Sequence, residues 1–98
     1  MLTNRIALIT GAANGIGETV AKVFSQYGAK IAVSDLNQNS CNHVLKNLEN
    51  PENHIAIEVD VTKKESILNA VEKMTKQFGR PPDVVVNSAG IINTGDFF

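Results

Sequence analysis

Ile6-Ala7-Leu8-Ile9-Thr10-Gly11-Ala12-Ala13-Asn14-Gly15-Ile16-Gly17 is the stretch that decides the fold. Its first four residues are a short apolar run, as in a strand, and Thr10-Gly11 ends it. Beyond the glycines, Ile16, Val20, Val23, Phe24 and Tyr27 recur at helical spacing, so a helix follows almost at once. In a strand-to-helix turn of this kind a pyrophosphate can meet free backbone N–H groups and the positive end of the helix dipole. Gly11 would permit the tight exit from the strand, Gly15 would let the backbone approach the phosphates, and Gly17 would let helix and strand pack closely. Such turns also need glycines for steric reasons alone, so the loop by itself leaves the chemistry open.

Working outward, Ile31-Ala32-Val33, Ile55-Ala56-Ile57-Glu58-Val59 and Val84-Val85-Val86 repeat the strand character of the first run. Cys41, Val44, Leu45 and Leu48, then Ile67, Val71, Met74 and Phe78, supply two further helical faces. Gly28 and Gly79 stand where helix C-termini favour a left-handed residue, Thr62-Lys63-Lys64-Glu65 has capping-box spacing, and Arg80-Pro81-Pro82 stops the last helix. The order β-α-β-α-β-α-β predicts an α/β fold: a Rossmann-like, doubly wound parallel sheet of order 3-2-1-4, in one domain over residues 1–98. In that order the apolar Val84–Val86 strand lies at an edge, although its composition suits an interior strand with neighbours on both sides. The sheet is therefore expected to be incomplete.

A formal net charge of -1 and a pI near 6.1 leave no electrostatic footprint for nucleic acid or an anionic membrane. No apolar run is long enough to span a bilayer, and the N-terminus shows no targeting segment. The single cysteine, Cys41, forms no internal disulfide and is expected to pack rather than react. His43 and His54 flank surface-like segments without paired ligands, so they are read as solvated and no metal site is expected. Tyr27, the one tyrosine, reads as an aromatic at the core edge. An intracellular soluble setting is expected, in cytoplasm or mitochondrial matrix.

Asp35 ends the second strand, eighteen positions after Gly17, where a carboxylate can accept hydrogen bonds from adenosine ribose hydroxyls. A 2'-phosphate there would meet like-charge repulsion of about 4 kcal/mol per charge pair at 4 Å and an effective dielectric of 20. Leu36 and Asn37 follow and supply no cation, so NAD is expected over NADP. The alternative is that Asp35 caps a helix.

The spacing Thr-Gly-x-x-x-Gly-Ile-Gly, at Thr10 to Gly17, resembles the short-chain dehydrogenase/reductase family. Asp60-Val61 resembles the family's adenine-contacting pair, and Asn87-Ser88-Ala89-Gly90 its Asn-Asn-Ala-Gly signature, with Ser88 in place of the usual asparagine. The resemblance covers essentially the whole chain. It implies cofactor contacts from Thr10, Gly11, Asn14, Gly15, Ile16 and Gly17 in the loop, Asp35 and Leu36 after the second strand, and Asp60 and Val61 after the third. Asn87, Ala89 and Gly90 complete that set. Phe78 to Ile91 looks most like the estradiol 17-beta-dehydrogenase 8 branch, close to the 3-oxoacyl-[acyl-carrier-protein] reductases.

What the resemblance implies is an NAD(H)-linked oxidoreductase interconverting a secondary alcohol and a ketone, on 3-oxoacyl thioesters or 17-beta-hydroxysteroids, oligomeric in its full-length form. The family's catalytic serine, tyrosine and lysine cannot be assigned to any residue here, so these 98 residues are expected to bind without turning over substrate. The chain then reads as the N-terminal part of a longer enzyme. The alternatives are a short non-catalytic isoform acting as a nucleotide-binding or interaction module and, more distantly, a methyltransferase-type nucleotide fold.

Overall fold

Five consecutive buried residues, Ile6–Thr10, form β1, and the chain is built around them. The computed structural model describes residues 2–13 and 15–88. After β1 come α1 (Gly15–Gln26), β2 (Lys30–Asp35), α2 (Gln38–Lys46), a single 3-10 turn (Pro51–Asn53), β3 (Ile55–Glu58), α3 (Lys64–Phe78) and β4 (Val84–Asn87). The strands form one parallel sheet in the order β3-β2-β1-β4, as the alternation of strand and helix predicts. Thr10 lies between Ser34 on β2 and Asn87 on β4, and Asp35 lies beside Glu58, so the strand ends are level at one edge.

Because side chains alternate along a strand, β1 feeds two separate cores. Ala7 and Ile9 join Ile31 and Val33 beneath α1 and α2, where Ala21, Cys41, Val44 and Leu48 are buried. Ile6 and Leu8 join Ala32 and Ile57 against Ile67, Ala70 and Met74 of α3 on the other face. Each of these large side chains, fully buried, contributes roughly 1.5–3 kcal/mol.

Three expectations need correction. The buried stripe of α1 is Gly17, Ala21 and Ser25, flanked by half-buried Val20 and Phe24, whereas Ile16, Val23 and Tyr27 are exposed. Small residues occupy the stripe because α1 approaches the sheet closely. The capping box at Thr62 does not form: α3 starts from Lys63 without a side-chain cap, because the Thr62 hydroxyl bonds Asp60 Oδ1 instead, at 2.6 Å. The cap of α2 is Asn37, its side chain accepting the Ser40 N–H at 3.0 Å, so the alternative reading of Asp35 as a cap falls away.

The third correction is His54, which is buried rather than solvated. Its Nδ1 accepts the Ile31 N–H at 3.0 Å, one residue before the β2–β3 pairing begins, and its Nε2 lies 2.7 Å from the Glu49 carbonyl. Accepting at one nitrogen and donating from the other is the pattern of a neutral imidazole. Burial holds its pKa below the ordinary histidine value.

At the start of β4, Asp83 ties the edge strand to β1: Oδ2 accepts the Ile6 N–H at 2.9 Å, and the Asp83 N–H donates to the Ile6 carbonyl at 2.8 Å. Arg80 donates to both Asp83 oxygens, at 2.8 and 3.0 Å, and also reaches the Asn4 carbonyl. The Arg80 guanidinium beside it holds the Asp83 carboxyl below its usual range. Among the described residues β4 pairs with β1 alone, and Val84 is exposed. No helix among them is long and apolar enough to cross a membrane.

Candidate functional site

Since all four strands run the same way, their C-terminal ends open onto one edge, and the direction of winding reverses between β1 and β4. Open parallel sheets bind ligands at such a switch point. Here the Thr10–Gly11 exit of β1 lies between the ends of β2 and β4, each of which grips it.

From the β2 side, the Ser34 hydroxyl donates to the Ile9 carbonyl at 2.9 Å, the Ser34 carbonyl accepts the Ala12 N–H at 3.0 Å, and Asp35 Oδ2 accepts the Ala13 N–H at 3.0 Å. From the β4 side, the Thr10 hydroxyl donates to Asn87 Oδ1 at 3.0 Å and the Ser88 N–H to the Thr10 carbonyl at 3.1 Å. The Ser88 hydroxyl lies 2.8 Å from that same carbonyl and 3.2 Å from the Gly11 carbonyl. The path of the loop is therefore set by both neighbouring strands.

Two glycines in the loop differ in what surrounds them. At Gly17 a Cβ would run into the Gly11 carbonyl oxygen and the Ser88 hydroxyl, with Ala12 Cα only 2.9 Å away, so the helix rests on the loop there. At Gly15, with φ 28°, a Cβ would meet nothing within 4 Å among the described residues. The space over Gly15 is open to a ligand, and the first-turn N–H groups of α1 lack intrahelical partners by the geometry of a helix. An anion fits this position, where the dipole adds about half a positive charge. Ile16 stands beside it, 76% exposed.

On the other side of Gly11, a cleft of about 280 Å³ is lined by Asp35, Leu36, Val59, Asp60, Val61 and Thr62. That is close to the roughly 300 Å³ at which small-ligand clefts begin. Leu36 is 65% exposed, an apolar surface beside two carboxylates. Asp35 Oδ1 accepts the Leu36 N–H at 2.7 Å, and each Asp35 oxygen retains a second lone-pair direction for a hydroxyl donor. Asp60 Oδ1 accepts both the N–H and the hydroxyl of Thr62, and these bonds hold its carboxyl below the usual range. Beneath the cleft the Cys41 thiol is buried, and burial together with the Asp35 charge pushes its pKa up to about 11. Such a thiol is inert at neutral pH.

The structure thus gathers Thr10, Gly11, Gly15, Ile16, Gly17, Asp35, Leu36, Asp60, Val61 and Asn87 along one edge. Asn14, Ala89 and Gly90 lie outside the described residues. Ser34 and Val59 were missed by sequence reasoning: Ser34 fills a buried strand position, and Val59 reads only as the last apolar residue of its run. Among the described residues no group of three His, Cys, Asp or Glu could hold a metal ion. The residues present fit a dinucleotide: an anion over Gly15, hydroxyls at Asp35, and a flat base between Leu36 and Val61.

The family profile described as short chain dehydrogenase matches residues 5–98. A secoisolariciresinol dehydrogenase from Forsythia intermedia is 41% identical over 90 residues, covering 92% of this chain and 32% of that protein. The crystal structure of a hydroxysteroid dehydrogenase from Escherichia coli is similar with a TM-score of 0.84 at 32% identity, over 92% of this chain and 38% of that one. A 3-ketoacyl-(acyl-carrier-protein) reductase from Brucella melitensis, solved in complex with NADH, is similar with a TM-score of 0.78 at 32% identity, over 87% of this chain and 34% of that one. The chain spans about a third of the length of the curated relatives it matches.

Proposed function

Because the chain belongs to the short chain dehydrogenase family, whose members use an NAD(P) cofactor, we propose that it binds NAD(H) as the dinucleotide-holding part of an alcohol–ketone oxidoreductase. The observation that carries this reading is the bond from the Ala13 N–H to Asp35 Oδ2, which sets a carboxylate for the ribose against the glycine loop for the pyrophosphate. In this reading the first turn of α1, from Gly15 to Gly17, receives the pyrophosphate, and Ile16 shields one flank of it. Asp35 accepts the adenosine ribose hydroxyls and repels a 2'-phosphate, which favours NAD over NADP. Leu36 and Val61 hold the adenine between them, with Asp60 at its edge. Thr10 and Asn87 keep the ends of β1 and β4 in register, and the family resemblance adds Asn14, Ala89 and Gly90, which lie outside the described residues, to the cofactor contacts.

When bound, the nicotinamide supplies or accepts the hydride. The chain's own part is to hold and orient the dinucleotide, since the one tyrosine, Tyr27, lies just beyond α1, half exposed and away from the strand ends. A polypeptide of these 98 residues therefore binds without turnover. The finer reading of the substrate is a 3-oxoacyl thioester or a 17-beta-hydroxysteroid, in an oligomeric full-length enzyme. It is supported by the likeness to a hydroxysteroid dehydrogenase and a 3-ketoacyl-(acyl-carrier-protein) reductase.

Titration with NADH, followed by nicotinamide fluorescence, tests the reading. Saturable binding displaced by ADP-ribose is expected. Absence of saturable binding would overturn it.

A further inference from the structure

Ser88 stands where the family resemblance places a second asparagine, and its surroundings give the smaller side chain a specific task. Its one hydroxyl proton faces two successive carbonyls, those of Thr10 at 2.8 Å and Gly11 at 3.2 Å. The same hydroxyl, with the Gly11 carbonyl, occupies the space that a side chain on Gly17 would need. Ser88 Oγ is therefore part of the floor on which the first turn of α1 rests. The grip from β2 is of a different kind: the Ser34 carbonyl and Asp35 Oδ2 hold the N–H groups of Ala12 and Ala13. Its hold on the loop does not pass through Ser88.

Resting on the dinucleotide reading above, we propose that Ser88 is a positioning residue for the pyrophosphate half of the cofactor. Its hydroxyl fixes the Gly11 carbonyl and the height of the α1 N-terminus over the sheet, and so sets where the first-turn N–H groups point. The adenosine half is held by Asp35, Leu36, Asp60 and Val61 in a cleft that Ser88 does not line and that Gly11 touches at one edge. Losing the hydroxyl should thus act on one half of the ligand and spare the other. A role confined to general stability would weaken both halves together.

The test compares NADH and adenosine as probes on the full natural chain, wild type against Ser88→Ala and Ser88→Thr. Removing one hydrogen bond is expected to weaken NADH about five- to tenfold while adenosine stays within about twofold. Ser88→Thr keeps the hydroxyl and is expected to hold NADH within about threefold of wild type. Unchanged NADH affinity in Ser88→Ala, parallel loss of NADH and adenosine, or equal losses in Ser88→Ala and Ser88→Thr would each overturn the proposal. Failure of the wild type to bind NADH would overturn the dinucleotide reading itself, a result distinct from the other three.

Discussion

The Asp35 carboxylate accepts the Ala13 N–H at 3.0 Å, so the residue that closes β2 also holds the loop that leaves β1. Charge and tether reside in one side chain, and two substitutions separate them. Asp35→Asn keeps an acceptor for Ala13 but removes the charge. It is expected to narrow the NADH-over-NADPH preference by about tenfold or more, equivalent to about 1.4 kcal/mol, less than the unscreened repulsion because Asp35 is only partly buried. Asp35→Ala also frees the loop and should weaken both dinucleotides. Paired titrations check this, and an unchanged preference in both variants would remove the assigned role.

Gly15 and Gly17 sit two residues apart yet should fail differently. Alanine at Gly17 collides with the Gly11 carbonyl and Ser88, so loss of NADH binding should come with roughly 1–3 kcal/mol of lost stability. Alanine at Gly15 meets nothing within 4 Å among the described residues and suffers only its left-handed backbone, about 1–2 kcal/mol or less, while its methyl enters the space proposed for phosphate. Thermal melts and NADH titrations on both variants distinguish the two. A Gly17→Ala protein that melts with the wild type would contradict the close approach.

His54 makes stability depend on pH. Because burial lowers its folded pKa, the neutral form is the one the fold prefers, and protonation would set a second donor against the Ile31 N–H. The stabilisation is therefore present above the unfolded value of about 6.5 and is lost as pH falls through the lower folded value. Wild-type melting temperature should drop between about pH 7 and pH 5, and His54→Ala should show a flatter profile over that range. At neutral pH the same variant should lose about 2 kcal/mol, since the Ile31 N–H is left unpaired in a buried position. Parallel pH profiles would show that His54 is not the group responsible.

Much of this arrangement is legible in the sequence because it is local. Short apolar runs mark the four strands, and Thr10 to Gly17 marks the turn between β1 and α1. What escaped depends on which atoms meet across the sheet. Ile16, Val23 and Tyr27 look like a core face by spacing, yet the close approach at Gly17 gives that place to Ala21 and Ser25. Thr62 has the spacing of a cap, but its hydroxyl is turned to Asp60 Oδ1 and the helix begins one residue later, from Lys63. His54 reads as a solvated residue flanking a surface-like segment, and only the start of β3 beside Ile31 turns its ring toward a backbone N–H. Asp35 was visible as a carboxylate at a strand end, whereas its bond to Ala13 requires the pairing of β1 with β2.

The proposed NAD site joins the glycine loop to Asp35 along this edge of the sheet. Side-by-side titration of the wild-type chain with NADH and NADPH at one fixed salt concentration tests it most directly. NADH should saturate and bind at least about tenfold tighter than NADPH. Equal affinities, tighter NADPH, or saturation by neither would contradict it.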